Sequence, residues 1–119
     1  MMTLNHLNLS VRDVTEAKNF FETYFDFRVL EEKDRPPLTV MIDEGNFVLT
    51  VSRLTSEKPV YPKGFHVGFF QPDQAHVWKL YHKLQTGGFA PREPGPVHGS
   101  FGFYLEALGG VLIEVSCWE

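Results

Sequence analysis

Short runs of alternating apolar and polar residues are interrupted twice in this chain by longer stretches with apolar residues at helical spacing. His6-Leu7-Asn8-Leu9-Ser10 alternates and reads as a strand. Behind Asp13, residues Val14, Ala17, Phe21 and Tyr24 fall on one face at a period of 3.6, with Phe20 beside them. This predicts a helix over Val14–Phe25, capped by Asp13, with Glu16 at capping-box distance. Behind Asp73, Val77, Leu80, Tyr81 and Leu84 repeat the pattern and predict a second helix over Gln74–Leu84, ended by Gly87-Gly88. Strands are predicted after the first helix at Phe27–Glu31, Leu38–Ile42 and Asn46–Val51, with a hairpin turn at Asp43-Glu44-Gly45. After the second they are predicted at Phe89–Ala90, Ser100–Glu106 and Val111–Val115, with Gly109-Gly110 in the matching turn.

The two series are one pattern repeated. His6 and His66 are offset by 60 residues, as are Asp13 and Asp73. Gly45 and Gly109, Val48 and Leu112, and Thr50 and Glu114 are offset by 64. Each half reads β-α-β-β-β. The expected organisation is an α+β fold of two paired βαβββ modules, each a curved mixed sheet with one helix. We expect one domain over residues 1–119, with modules at about 1–53 and 65–119 and a proline-containing connector at about 54–64. Some 60 residues bury too little apolar surface for either module to stand alone.

Composition narrows the function. At 119 residues, 43% hydrophobic and 22% charged, the chain is an ordinary globular sequence rather than a disordered or fibrous one. Aromatic residues make up 14%, enough to fill a core and to wall a pocket. A net charge of −4 and no Lys/Arg run argue against nucleic acid and against an anionic membrane surface. The single cysteine, Cys117, permits no internal disulfide. The first residues lack a basic stretch and a long apolar run, so cytoplasm is the expected location.

Two modules related by a pseudo-two-fold axis bring equivalent positions together, and the equivalent positions with chemistry are His6 with His66 and Thr50 with Glu114. Glu114 lies mid-strand between Ile113 and Val115, where an unpaired carboxylate is costly. A divalent cation is a common reason to keep one there. Two neutral imidazoles and one carboxylate form a facial triad that leaves positions open for substrate. Taken singly, each is as readily a surface or paired residue; the shared register is what links them.

Asn5-His6-Leu7-Asn8-Leu9-Ser10-Val11, the helix ending near Phe25-Asp26-Phe27, then His66, then Phe103-Tyr104-Leu105, Gly110 and Leu112-Ile113-Glu114-Val115 resemble the vicinal oxygen chelate superfamily. That group includes lactoylglutathione lyase (glyoxalase I), fosfomycin-resistance thiol transferases, extradiol dioxygenases, methylmalonyl-CoA epimerase and bleomycin-resistance proteins. The resemblance implies paired βαβββ modules and one divalent metal per site, held by His6, His66 and Glu114. Iron, manganese, cobalt, nickel and zinc all suit such a ligand set. Glyoxalase I carries a fourth ligand, a glutamate, where this chain has Thr50; the fosfomycin enzymes have a small residue there and a tyrosine where Tyr104 lies. Their Asp-Pro-Asp-Gly turn is Ala107-Leu108-Gly109-Gly110 here. Single-unit members commonly form homodimers with sites shared between chains, which is the expected assembly.

Other residues carry weaker expectations. His98, in the loop Pro94–Gly99, is either a general acid/base or substrate contact, or a solvated loop histidine. Tyr104 is either a hydrogen-bond donor to an oxygen at the site or a cross-strand aromatic. Asn8, on the same strand face as His6, and Thr50 are expected to line the pocket, and Arg92 to attract an anionic substrate or remain solvated. His76 and His82 read as surface. The function expected is a metal-dependent enzyme acting on a small oxygen-rich substrate by chelating its oxygens, as a lyase or isomerase, dioxygenase or thiol transferase. The alternative is a non-catalytic protein of the bleomycin-resistance kind that sequesters a small molecule.

Overall fold

A computed structural model of the protein describes residues 1–118. The elements run β1 (His6–Ser10), α1 (Val14–Phe25), β2 (Arg28–Asp34), β3 (Pro37–Ile42), β4 (Val48–Ser52), β5 (His66–Phe70), α2 (Gln74–Thr86), β6 (Gly95–Val97), β7 (Ser100–Ala107) and β8 (Val111–Trp118). The chain divides into two compact units, one over Met1–Val60 and one from Tyr61 onward. The first holds a four-stranded sheet in the order β1-β4-β3-β2, the second a sheet in the order β5-β8-β7-β6. In both, the first strand pairs in parallel with the last and the remaining pairings are antiparallel. Each unit is therefore a βαβββ module, and the fold is α+β as read from the repeat. Among the described residues no helix is long and apolar enough to cross a membrane.

The helices start where the sequence places them. Asp13 accepts the Glu16 backbone N–H at 3.0 Å, and Asp73 accepts that of His76 at 2.9 Å. The Glu16 carboxylate is turned outward, gripped by both Nε and Nη2 of Arg12 at 2.9 and 2.8 Å. Helix α2 runs two residues beyond Leu84, to Thr86, before Gly87.

Each helix covers one face of its own sheet. In the first unit Ala17, Phe20, Phe21 and Phe25 of α1 are buried with Leu9, Met41, Leu49 and Val51 of the strands. Phe20, Phe21, Phe25 and Phe27 form a cluster with ring centroids 5.3–5.9 Å apart. In the second unit Val77 and Leu84 of α2 are buried with Phe103, Leu105, Ile113 and Val115. Burying a large apolar side chain stabilises by about 1.5–3 kcal/mol, so these layers dominate the energetics of each unit. Strand alternation then sends His66, Glu114 and Tyr104 to the sheet face opposite the helix.

Two strand assignments need correction. Phe89–Ala90 is not a strand; the fourth strand of the second sheet is β6, inside the Pro94–Gly99 segment that the sequence presents as a loop. Pro96 lacks a backbone donor, but β6 is an edge strand, where that loss is tolerated. Strand β2 continues past Glu31 to Asp34 through a bulge between Val29 and Glu31. Its Glu31-Glu32-Lys33-Asp34 stretch is exposed and highly charged, as an edge strand protected against further pairing often is.

Candidate metal and substrate site

Strands β5 and β8 lie side by side with His66 opposite Leu112 and Gly68 opposite Glu114. Strand β7 places Tyr104 opposite Glu114 from the other side. Gly68 leaves room: a Cβ there would stand 3.7 Å from Glu114 Oε1. Gly102 is held so close to β8 that a Cβ would meet the Val115 carbonyl oxygen at 2.1 Å.

The His66 ring is fixed from both ends. Nδ1 lies 2.8 Å from the Gly64 carbonyl oxygen, and Nε2 lies 3.1 Å from Glu114 Oε1. A carbonyl oxygen can only accept, so Nδ1 carries a hydrogen. In a neutral ring the Nε2 lone pair then faces a carboxylate oxygen. Two electron-rich atoms at that separation call for a positive centre shared between them, a proton or a metal ion. Glu114 Oε2 accepts from the Ser116 hydroxyl at 3.0 Å, and the Glu114 side chain is only 14% exposed. Tyr104 meets the His66 ring edge to face at 5.7 Å. Burial, and secondarily the Glu114 charge, raise the Tyr104 phenol above its ordinary pKa.

The first unit repeats this frame with different side chains. His6 is opposite Val48 and Asn8 opposite Thr50. His6 Nδ1 lies 3.1 Å from the Val48 carbonyl oxygen, so its ring too is oriented through a backbone carbonyl, and the residue is exposed. Orientation of the second ring nitrogen in this way is the usual support for a metal-binding histidine. Asn8 accepts from the Ser52 hydroxyl at 2.8 Å. His6, Asn8 and Thr50 thus share one sheet face of the first unit; His66, Glu114, Tyr104, Arg92 and His98 belong to the second. Among the described residues no three His, Cys, Asp or Glu side chains gather into a metal-sized cluster.

An open cleft of about 740 Å³ runs along the second unit beside His66 and Tyr104, and its walls include Lys63, Arg92, His98 and Glu106. A smaller one of about 350 Å³ shares Arg92, His98 and Tyr104 with it. Arg92 is anchored there by its backbone N–H, which donates to the Tyr104 carbonyl oxygen at 3.1 Å. His98 sits in the β6–β7 turn with φ 44. His76 and His82 are exposed on α2, as read. The sequence reading missed Ser116, Gly68 and Lys63. Ser116 was detectable, because it lies 64 residues after Ser52 in the same repeat register.

A sequence model described as the Glyoxalase/Bleomycin resistance protein/Dioxygenase superfamily matches residues 3–115. No curated protein sequence matches. A Bacillus cereus protein described as a possible glyoxalase is 38% identical, with a TM-score of 0.87, over 98% of this chain and 100% of that one. Lactoylglutathione lyase from Agrobacterium tumefaciens has 16% identity and a TM-score of 0.77, covering 97% of this chain and 92% of its own. A mutant of the fosfomycin resistance protein FosX from Listeria monocytogenes, solved with Mn(II) and 1S,2S-dihydroxypropylphosphonic acid, has 13% identity and a TM-score of 0.82, covering 100% and 94%. At those identities the last two share the fold. With its duplicated βαβββ frame, a family match across nearly the whole sequence and a 38% identical relative, this chain belongs to the glyoxalase/bleomycin resistance/dioxygenase group, the vicinal oxygen chelate superfamily.

Proposed function

We propose that the protein is a divalent-metal-dependent enzyme acting on a small oxygen-rich substrate, with His6, His66 and Glu114 as metal ligands. The observation that carries this reading is the His66–Glu114 pair: an imidazole with its Nδ1 hydrogen committed to Gly64, its Nε2 aimed at a carboxylate 3.1 Å away. The donor set fits a borderline divalent ion, and the Ser116 hydroxyl steadies the second carboxylate oxygen. His6, oriented by the Val48 carbonyl, supplies the third ligand in a homodimer where His6 of one chain joins the pair of the other. A FosX relative solved with Mn(II) supports an ion of this class.

When bound, the ion would act as a Lewis acid toward adjacent substrate oxygens. The remaining work falls to the chain. Tyr104, a protonated phenol at neutral pH, would donate a hydrogen bond toward an oxygen held beside Glu114. In such a homodimer Asn8 and Thr50, on the sheet face that carries His6, would orient the substrate. Arg92 would attract substrate charge, and His98, on the same cleft wall, would hold or move a proton. Isomerisation, ring-opening oxygenation and thiol addition are all open to such a site. Elemental analysis of protein purified without chelator, followed by a turnover screen with each metal restored, tests the reading. We expect one divalent ion per site, lost in His66→Ala and Glu114→Ala; unchanged affinity in both variants would remove the site. Refolding His6→Ala together with Glu114→Ala should restore activity, since each heterodimer keeps one complete site.

A second reading rests on one observation. Phe70 and Trp118 stack at 4.7 Å and are 58% and 71% exposed, an aromatic platform suited to sequestering a flat ligand without chemistry. Full-strength binding of such a ligand by metal-free protein would favour it.

A further inference from the structure

We infer that the cleft beside His66 and Tyr104 is built to receive an oxyanion of the substrate, a carboxylate or a phosphorus oxyanion, on Lys63 and Arg92 with His98 at its wall. This deepens the function proposed above and rests on it only for placing the reacting end of the substrate at His66 and Glu114.

The charge distribution points this way. The chain as a whole carries −4, yet the larger cleft's walls hold Lys63 and Arg92 against one carboxylate, Glu106, with Glu93 on the wall of the smaller cleft. Arg12, Lys18 and Lys33 are each held by a glutamate. Lys63 and Arg92 make no ion pair among the described residues, with each other's cleft carboxylate or any other. Cations left without partners in a concave site raise the local concentration of anions.

Both cations are also tied by backbone to the proposed reacting residues. Lys63 immediately precedes Gly64, whose carbonyl holds the His66 ring. Arg92 hangs from the Tyr104 carbonyl by its own N–H, and buried Pro91 and Pro94 fix the segment on either side. The guanidinium therefore starts from a defined point, which favours the forked geometry it makes with planar or tetrahedral oxyanions. His98 adopts φ 44, a conformation that disfavours a side chain, in a turn followed by Gly99 at φ 83. That turn places it on the wall of both clefts with Arg92. A volume of about 740 Å³ suits a small molecule with its anionic end toward Lys63 and Arg92.

The test uses the intact 15N-labelled chain at low ionic strength, with chelator present, titrated separately with inorganic phosphate and with acetate. Amide and arginine Nε signals are followed by NMR. At least one anion should saturate, with the largest shifts at Lys63, Gly64, Arg92 and His98. The preferred anion tells a phosphorus oxyanion from a carboxylate. In a Lys63→Gln/Arg92→Gln variant the dissociation constant should rise fivefold or more; both residues are exposed, so no packing is lost. Lack of saturation by both anions, shifts centred elsewhere, or a smaller rise would overturn the inference. A parallel Co(II) titration of the wild-type chain, compared with its own anion titration, keeps the two readings apart. Normal Co(II) binding without anion binding defeats only this inference, and anion binding without Co(II) binding defeats only the metal.

Discussion

Replacing Gly102 with alanine should be among the most damaging single-methyl additions available in the second unit. Gly102 is buried opposite Ser116 in the β7–β8 ladder. The new Cβ would stand 2.1 Å from the Val115 carbonyl oxygen, 2.5 Å from Ser116 Cβ and 2.6 Å from Ser116 Cα. Two of these are backbone atoms of the central strand and cannot swing aside. Relief requires β7 to move away by about 1 Å, which weakens the ladder hydrogen bonds nearest the site. Overpacking costs about 1–3 kcal/mol, and each ladder bond lost adds about 1 kcal/mol. We therefore expect a destabilisation of about 2–4 kcal/mol. Unfolding entropy of about 2.1 cal/mol/K per residue gives about 0.25 kcal/mol/K for a chain this size, so Tm should fall by about 8–16 °C. Gly68→Ala is the control. Its Cβ makes an ordinary 3.7 Å contact with Glu114 Oε1 and its φ is not positive, so Tm should stay within about 4 °C. Thermal unfolding followed by circular dichroism reads both. A Gly102→Ala protein melting within 4 °C of wild type would refute the close-approach argument.

Three further outcomes follow from individual side chains. Arg12 hydrogen bonding holds the Glu16 carboxyl below its ordinary range, and hydrogen bonds from His76 do the same for Asp73; depressed carboxylates stabilise the fold above their unfolded values, so the urea midpoint should fall as pH drops below about 4.5, less steeply in Asp73→Asn. The raised Tyr104 phenol keeps its proton longer when folded, so stability from this group is lost as pH rises above 10.0, and a spectrophotometric tyrosine titration should show a late-ionising group that vanishes in Tyr104→Phe. Thr50→Glu should put a carboxylate on the sheet face that carries His6, tightening divalent-metal binding in a chelator-competition titration while lowering turnover, because an open coordination position is filled.

Periodicity carried the first-order reading because it reports burial. Asp13 and Asp73 announce both helices, and the alternation of β4 and β8 fixes which side chains face the helix. What was not legible lay where burial and propensity part company. Strand β6 is written as Gly95-Pro96-Val97 between turn residues, and only an edge position lets such a stretch pair. The charged end of β2 carries no alternation, because an exposed edge needs none. The same boundary divides the site. His66, Glu114 and Tyr104 sit on strands, so register alone set them side by side. Lys63 reaches the cleft from a loop, where no period applies, and Arg92 is placed by a single backbone hydrogen bond to Tyr104.

The repeat also accounts for why only one module carries the carboxylate. At equivalent positions the first unit has Asn8 opposite Thr50 and the second has Gly68 opposite Glu114. Each unit keeps a serine two residues further along its last strand, Ser52 or Ser116. In the first unit that hydroxyl donates to Asn8, and in the second to Glu114. The frame thus offers one hydroxyl and one polar partner per unit, and the partner has moved from the first strand to the last. Glycine at position 68 presents no side chain to Glu114: a Cβ alone would fit, at 3.7 Å from Glu114 Oε1, but a longer side chain starting there would reach the carboxylate. An asparagine there would compete for both the space and the serine. Metal affinity of Gly68→Asn should therefore fall even though no proposed ligand is altered, whereas Asn8→Gly should leave the Glu114 carboxylate where it is.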